Sequence, residues 1–176
     1  MATEITCKLT GTRGAGIKAH VIPRSFYDFG SPEHKGAELI QIKGDDIRLA
    51  KSPVGEYDTG IVTAEGEAYF SEGDAYAYDC LVKKGQEAGI YFIGNQPGCV
   101  EIPEFDYRKL KLFFLTLVWR ASVSSRPLFK KVSLGPHEKR VRDLILARDP
   151  GDSDDYATVV GIHRDTPAHG LPMFQP

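Results

Sequence analysis

Apolar and polar residues alternate over short runs in the first hundred positions, which predicts short strands joined by turns. One run is β-branched and stops at Pro23, which has no N–H with which to extend a ladder. Two others flank the turn sequence Gly44-Asp45-Asp46 and predict a hairpin. The predicted strands are Ile17–Ile22, Ala37–Ile42, Ile47–Lys51, Gly89–Ile93 and Cys99–Ile102, after a turn-rich knuckle at Ile5–Gly16.

Apolar residues at spacings of three and four predict helices elsewhere. The clearest helix begins at Asp106 as N-cap, and its predicted core stripe is Leu110, Phe113, Phe114, Leu117 and Val118. The other predicted helices are Ala64–Phe70, Glu72–Val82 and Pro136–Ala147, the last with Val141, Leu144 and Ile145 on its apolar face. An acidic turn at Asp149–Asp155, a strand at Tyr156–His163 and a disordered tail at Thr166–Pro176 complete the prediction.

These elements predict an α+β fold, with a small antiparallel sheet near the N-terminus and helices near the C-terminus. We expect residues 1–105 to form the strand-rich unit, residues 106–165 a basic helical region packed on it, and residues 166–176 the tail. The length of 176 residues fits one compact domain.

Composition is that of an ordinary globular protein, with 41% hydrophobic and 26% charged residues. No apolar run reaches the roughly 18 residues that a membrane span needs, and no basic-then-apolar secretory segment is present. Three cysteines without regular spacing argue against a disulfide framework. We therefore expect a cytoplasmic protein that does not bind membranes.

The net charge of −2 conceals an uneven distribution. Asp106–Arg148 contains eleven Lys and Arg against three Asp and Glu, so this stretch carries +8 and the rest of the chain −10. Such a division can give a basic face that binds nucleic acid. It can equally reflect two halves paired by charge, or a solvated helix surface.

The stretch IKAHVIPRSFY at Ile17–Tyr27 places His20 at the end of the first predicted strand after the knuckle. A histidine there suits a general base, because its ordinary pKa lies near neutral pH. The simpler interpretation is a surface histidine beside a turn, and the local segment alone favours it.

The same stretch resembles the first strand of HNH-type endonucleases, and YDTGIVTAEGE at Tyr57–Glu67 lies where that ββα-metal fold has its second stretch. Many members of the family begin this second stretch with Asn and continue with Cys-x-x-Cys-His. That pattern falls on Asp58 for the Asn, Thr63 and Gly66 for the cysteines, and Glu67 for the His. A first Cys-x-x-Cys falls on Cys7 and Thr10.

The resemblance implies a site with altered chemistry. Only one of four sulfur ligands is present, so we expect no structural zinc. His20 matches the general base, and Asp58 and Glu67 are oxygen ligands suited to Mg²⁺ or Mn²⁺. Arg24 is a candidate phosphate contact. Ala19 departs from the family, since many relatives have Asp, Glu or His before the base. Asp58 as a turn cap and Glu67 as a solvated first-turn acid are the alternatives.

The second half, from FDYRKLKLFF onward, resembles the corresponding region of a group of uncharacterised bacterial proteins with the same HNH-like start and degenerate knuckle cysteines. Its basic side chains are candidates for phosphate contacts, and a solvated helix surface is the alternative. The candidates are Arg120, Arg126, Lys130 and Lys131.

The sequence thus leaves two main hypotheses. The first is an HNH-like endonuclease of bacterial or phage origin that cleaves nucleic acid, DNA above all, with one divalent cation. The second is a degenerate HNH-like scaffold that binds nucleic acid or a partner protein without cleavage. A toxin or defence-system effector is a weaker third, and homo-oligomers or defence-system partners stay open.

Overall fold

Short antiparallel strand pairs precede two longer helices in this chain. The computed structural model describes residues 3–27, 40–43, 48–51, 55–85, 90–93, 96–100, 102 and 104–158. The strands there are β1 (Glu4–Thr6), β2 (Arg13–Ala15), β3 (Ala19–His20), β4 (Ile40–Lys43), β5 (Arg48–Lys51), β6 (Tyr57–Asp58), β7 (Ile90–Ile93) and β8 (Gln96–Val100). The helices are α1 (Ala64–Glu67), α2 (Ser71–Tyr78), α3 (Tyr107–Val123) and α4 (Glu138–Ala147).

The predicted knuckle is a β1–β2 hairpin. The two strands pair antiparallel, with Ile5 opposite Gly14. The N–H of Cys7 donates to the carbonyl of Thr12 at 2.8 Å, and the N–H of Gly11 donates back to the carbonyl of Cys7 at 2.8 Å. Gly11 has φ of 80°, a conformation that glycine adopts without steric cost. The chain reverses here within a few residues.

The strand expected at Ile17–Ile22 is shorter than predicted. Only Ala19–His20 pairs with β6, with Ala19 opposite Asp58 and His20 opposite Tyr57. The N–H of Val21 still donates to the carbonyl of Glu56 at 3.3 Å, and a 3₁₀ turn at Arg24–Tyr27 follows Pro23. The strand therefore ends two residues before the predicted end at Ile22, and Pro23 follows with no N–H to extend the ladder.

The predicted hairpins and N-terminal helices are present with shifted ends. β4 pairs antiparallel with β5, and β7 with β8. Residues 37–39 of the first predicted strand lie outside the described residues. α1 begins at Ala64 as predicted and gives way to a turn before Phe70. α2 continues beyond the predicted Val82 as a π-helical segment, Asp79–Lys84.

The central helix α3 begins as the sequence predicts and is more buried than predicted. The Asp106 side chain caps it by accepting from the N–H of Lys109 at 3.1 Å. Leu110 and Phe113 of the predicted stripe are buried, but Val118 is 37% exposed. The helix instead buries Leu115, Trp119 and two basic side chains, because partners pack against more than one of its faces.

Helix α4 follows a 3₁₀ turn at Gly135–His137 and packs on the same core. Val141 and Ile145 are buried as predicted, and Leu144 lies at the edge of the core. Tyr156 has φ of 53° within a turn, so the predicted strand does not start there; its residues 159–163 and the tail lie outside the described residues.

One hydrophobic cluster joins the N-terminal strands to the C-terminal helices. Leu9, Val21 and Val62 share it with Trp119 and Ile145. The fold is therefore α+β, with small antiparallel sheets and helices that share a core across the predicted boundary at residue 105. Among the described residues, no helix combines the length and the apolar character required to cross a membrane.

Candidate functional site

The four positions that the HNH resemblance assigns to a zinc knuckle, Cys7, Thr10, Thr63 and Gly66, lie together beside the turn that joins β1 to β2. The N–H of Thr10 donates to Cys7 Sγ at 3.4 Å, and a Cβ on Gly66 would lie 2.7 Å from the same sulfur. Thr63 forms a β-bridge with Gly16 beside them. One sulfur among these residues does not meet the four-ligand requirement of structural zinc, so the donor set does not fit that metal.

The close approach of Gly66 to Cys7 gives a stability prediction. A Cβ at Gly66 would also lie 2.9 Å from Val62 Cβ, in a buried site with no room for it. We expect Gly66→Ala to lower the free energy of unfolding by about 1–2 kcal/mol despite its better helix propensity. Gly73→Ala is the matched control, because its Cβ would meet nothing closer than 3.9 Å. Urea unfolding should show a lower free energy of unfolding for Gly66→Ala and a slightly higher one for Gly73→Ala. A higher value for both variants would show that the site around Gly66 has room for a Cβ.

His20 is half-buried at the end of β3, where β6 holds it on one edge. Its ring centroid lies 5.9 Å from that of Tyr57, its partner across the strand pair. Its carbonyl accepts from Arg120 Nη1 at 3.1 Å on the other edge. The backbone that carries the candidate base is therefore fixed from two sides.

Both carboxylate oxygens of Asp58 already accept hydrogen bonds within the chain. Oδ1 accepts from the N–H of Gly60 at 2.8 Å, and Oδ2 accepts from the N–H of Ser125 at 2.7 Å. The hydroxyls of Ser125 and Ser124 also donate to Oδ2, at 2.8 and 3.2 Å. Asp58 thus ties β6 to the end of α3, which corrects its predicted role as a metal ligand and resembles the predicted alternative of a turn cap.

Hydrogen bonding also sets the charge of Asp58. Burial raises the pKa of this carboxyl, but the donors from Gly60, Ser125 and Ser124 together outweigh burial and hold the pKa below its ordinary value. The carboxylate is therefore ionised at neutral pH, although only 6% of the residue is exposed.

Glu67 points inward from α1, so it is not the solvated acid of the alternative interpretation. Its Oε2 atom is buried and has no hydrogen-bond partner among the described residues. Burial raises the pKa of Glu67, Arg120 opposes the shift and Asp74 adds to it, so the pKa lies above its ordinary value. Glu67 retains an oxygen that a proton or another ligand could take.

Arg120 is not a surface phosphate clamp, because its exposure is 0% and its donors are all used. Nε and Nη2 donate to the carbonyl and hydroxyl of Thr116, at 3.3 and 3.5 Å. Nη1 and Nη2 form a bidentate pair with Asp74 at 2.9 and 2.7 Å, and Nη1 also reaches the carbonyl of His20. Its predicted contact with nucleic acid is therefore wrong.

Asp74 is a site residue that the sequence analysis missed. It lies in the first turn of α2, where an acidic residue is ordinarily explained by the helix dipole. Burial raises its pKa, against the attraction of Arg120. Glu67 and Asp74 lie in two different helices separated by a turn, so no helical spacing in the sequence marks them as neighbours.

Most of the basic charge between Asp106 and Arg148 is paired inside the chain. Arg142 donates to the carbonyl of Leu9, and Lys111 Nζ to that of Asp152. Six others, besides Arg120, pair with carboxylates: Arg108, Lys109, Arg126, Lys139, Arg140 and Arg148. Lys109, Arg126 and Arg148 pair with acidic residues of the N-terminal half, whereas the other three pairs are with Asp143, Asp149 and Asp155 in or just after the region. These pairs interrupt a continuous basic face.

Three predicted phosphate contacts keep exposed charges. Lys130 and Lys131 follow the 3₁₀ turn at Pro127–Phe129, and Arg24 lies in the 3₁₀ turn after β3. None of the three side chains forms a hydrogen bond or ion pair with another described residue. Arg126 pairs with Glu56 through Nε at 2.7 Å and remains 45% exposed. Arg126 and Lys130 line a cleft of about 480 Å³ together with three serines at the end of α3.

The predicted pair of metal ligands is not a cation site as it stands, because the Asp58 carboxylate is held by hydrogen bonds from Gly60, Ser124 and Ser125. No group of three or more His, Cys, Asp or Glu able to hold a metal ion occurs within the described ranges. The comparisons with known proteins add no assignment. No family model matches the chain, and neither the curated proteins nor the solved structures contain a significant match.

Proposed function

We propose that this protein is an HNH-like endonuclease that hydrolyses phosphodiester bonds in nucleic acid, with His20 as general base. The observation that carries the proposal is the neighbourhood of Arg120. This buried guanidinium binds the carbonyl of His20, and its charge acts on the carboxyl of Glu67. The two candidate groups thus come from the two separate stretches that carry the family resemblance.

The order and pairing of elements support the proposal. β3 pairs antiparallel with β6, and α1 begins six residues after Asp58, the last residue of β6. This is the strand–strand–helix order of the ββα-metal family, and the grouping of Cys7 with Thr10, Thr63 and Gly66 follows its knuckle. We propose a cytoplasmic protein, in which the buried thiols of Cys7 and Cys80 stay reduced.

The proposed chemistry assigns one proton transfer to His20. Its imidazole takes the proton of a water molecule, the hydroxide attacks phosphorus, and the bond to the leaving oxygen breaks, with solvent returning a proton to that oxygen. Arg24, Lys130 and Lys131 are the exposed cations that would hold the flanking phosphates. A divalent cation, where bound, supplies stabilisation of charge on the phosphate and leaving group. Since the predicted ligand pair does not form, no step is assigned to the cation.

Cleavage by the purified protein tests this proposal. We expect nicking of supercoiled plasmid or breakage of single-stranded substrate in Mn²⁺ or Mg²⁺, and a loss on the order of 10²–10⁴-fold in His20→Ala because the base is removed. His137→Ala is the control, since His137 is exposed on a 3₁₀ turn far along the chain and bonds only Tyr156 among the described side chains. Equal cleavage by wild type and His20→Ala, or none by wild type with either cation, would refute the proposal.

A second function is favoured by the hydrogen bonds that give Asp58 a structural role within the chain. It is a degenerate HNH-like scaffold that binds nucleic acid or a partner protein without cutting. If nucleic acid is the partner, binding without turnover should weaken steeply between 50 and 200 mM salt, and Lys130→Gln with Lys131→Gln should reduce that dependence. Binding that salt leaves unchanged would exclude phosphate contacts as its basis.

A further inference from the structure

The carbonyl of His20 lies on the edge of β3 that β6 does not cover. Neighbouring residues of an antiparallel strand direct their backbone groups to opposite edges. The N–H of Val21 donates to Glu56 on the β6 side, so the groups of His20 face the other way. No third strand pairs there in the described part of the sheet. Arg120 supplies a donor in place of that strand, at 3.1 Å.

Asp74 fixes the guanidinium that makes this bond. Its two carboxylate oxygens bind Nη1 and Nη2, at 2.9 and 2.7 Å, which sets the plane of the group. The ring of Phe70 lies 4.9 Å below the guanidinium carbon and restricts it further. The remaining donors are bound to Thr116, one turn earlier on α3. The direction of the bond to His20 is therefore set by three elements, β3, α2 and α3.

A buried arginine is a costly means of satisfying one carbonyl. Removing a cation from water costs several kcal/mol unless its partners compensate, and replacement of a whole buried ion pair by apolar side chains of similar volume often gives equal or better stability. Fold stability alone therefore explains the charge poorly. The buried charge is better explained if the hydrogen bond from Arg120 holds His20 in a fixed position.

We infer that Arg120, oriented by Asp74, is the positioning residue for His20. The inference rests on the proposed function, because positioning matters when His20 acts on a bound phosphate. Lysine keeps the charge at this position but cannot donate in a fixed plane to Asp74, Thr116 and His20 together. Arg120→Lys should therefore release the backbone of His20 while keeping the pairing with Asp74.

Two measurements on the full chain test the inference. The first is the NMR signal of the His20 Cε1–H group, identified by its loss in His20→Ala. We expect Arg120→Lys to shift or split this signal, and the control Arg140→Lys to leave it unchanged, because Arg140 forms an exposed pair with Asp155. Unfolding by urea confirms that each variant is folded. If Arg120→Lys does not fold, Asp74→Asn takes its place with the same expectation.

The second measurement is kinetic. Arg120→Lys should lower kcat by about 10- to 100-fold with KM within about twofold, since misplacement of a base affects the chemical step rather than ground-state binding. An unchanged His20 signal in a folded variant overturns the positioning role, as does a loss confined to KM. Absence of cleavage by wild type would refute the proposed function, and the NMR measurement would still decide the positioning role.

Discussion

Replacing Arg120 with methionine is expected to lower the free energy of unfolding by about 3–5 kcal/mol, the largest loss predicted for this chain. Methionine has a comparable length and leaves no large cavity, so the loss reflects polar groups without partners. The carboxylate of Asp74 would stay largely buried without its cation, and the carbonyl of His20 would lose its donor. Urea unfolding at neutral pH measures the difference.

A double-mutant cycle separates the ion pair from the packing of Arg120. Asp74→Leu should lower the free energy of unfolding far less in the Arg120→Met background than in the wild type. In the wild type it leaves the charge of Arg120 unpaired, whereas in the Arg120→Met background it removes the unpaired carboxylate. Lys139→Met is the control for an exposed pair, and we expect it to cost no more than about 0.5 kcal/mol. A loss for Arg120→Met as small as that of the control would show that the buried network does not stabilise the fold.

Asp58→Asn is expected to cost about 2–3 kcal/mol at pH 7, the second-largest loss of stability. An amide can accept at one atom only, and its NH₂ group would face the N–H of Ser125 or of Gly60, which both donate now. The link between β6 and the end of α3 would then lose both the negative charge and one of its hydrogen bonds.

The pH dependence of this loss follows from the lowered pKa of Asp58. A carboxyl whose pKa is lower in the folded than in the unfolded state stabilises the fold fully above the unfolded pKa, near 4. That contribution disappears as pH falls through the folded pKa. The difference between wild type and Asp58→Asn should therefore be largest at pH 7 and shrink below about pH 4. A difference that grows on acidification would contradict the assignment, and the exposed Asp154→Asn serves as control.

Local signals in the sequence predicted the elements well where one residue dominates the backbone. Asp106 caps α3 as expected, and the strands on either side of the sequence Gly44-Asp45-Asp46 do pair. The burial pattern of α3 was less predictable, because a stripe of apolar residues describes a helix with one buried face. Val118 fits the stripe but is exposed, whereas Arg120 is enclosed by α2 and β3.

The candidate site was predictable in position and less so in role. Alignment with a family motif named Asp58 and Glu67, but a motif does not show which acceptors are already bonded. Ser124 and Ser125, which donate to Oδ2 of Asp58, are 66 and 67 residues away in sequence. Asp74 and Arg120 are separated by 46 residues, and nothing local to either announces a buried pair. Such roles arise from tertiary packing.

Chemical rescue of a cleavage-deficient variant tests most directly the claim that His20 is a general base. His20→Gly removes the imidazole and leaves a space that free imidazole can enter. The account predicts that imidazole raises the single-turnover cleavage rate of His20→Gly, in proportion to the concentration of its neutral form, and leaves the wild-type rate unchanged. Wild-type cleavage without any imidazole-dependent recovery in His20→Gly would contradict the account.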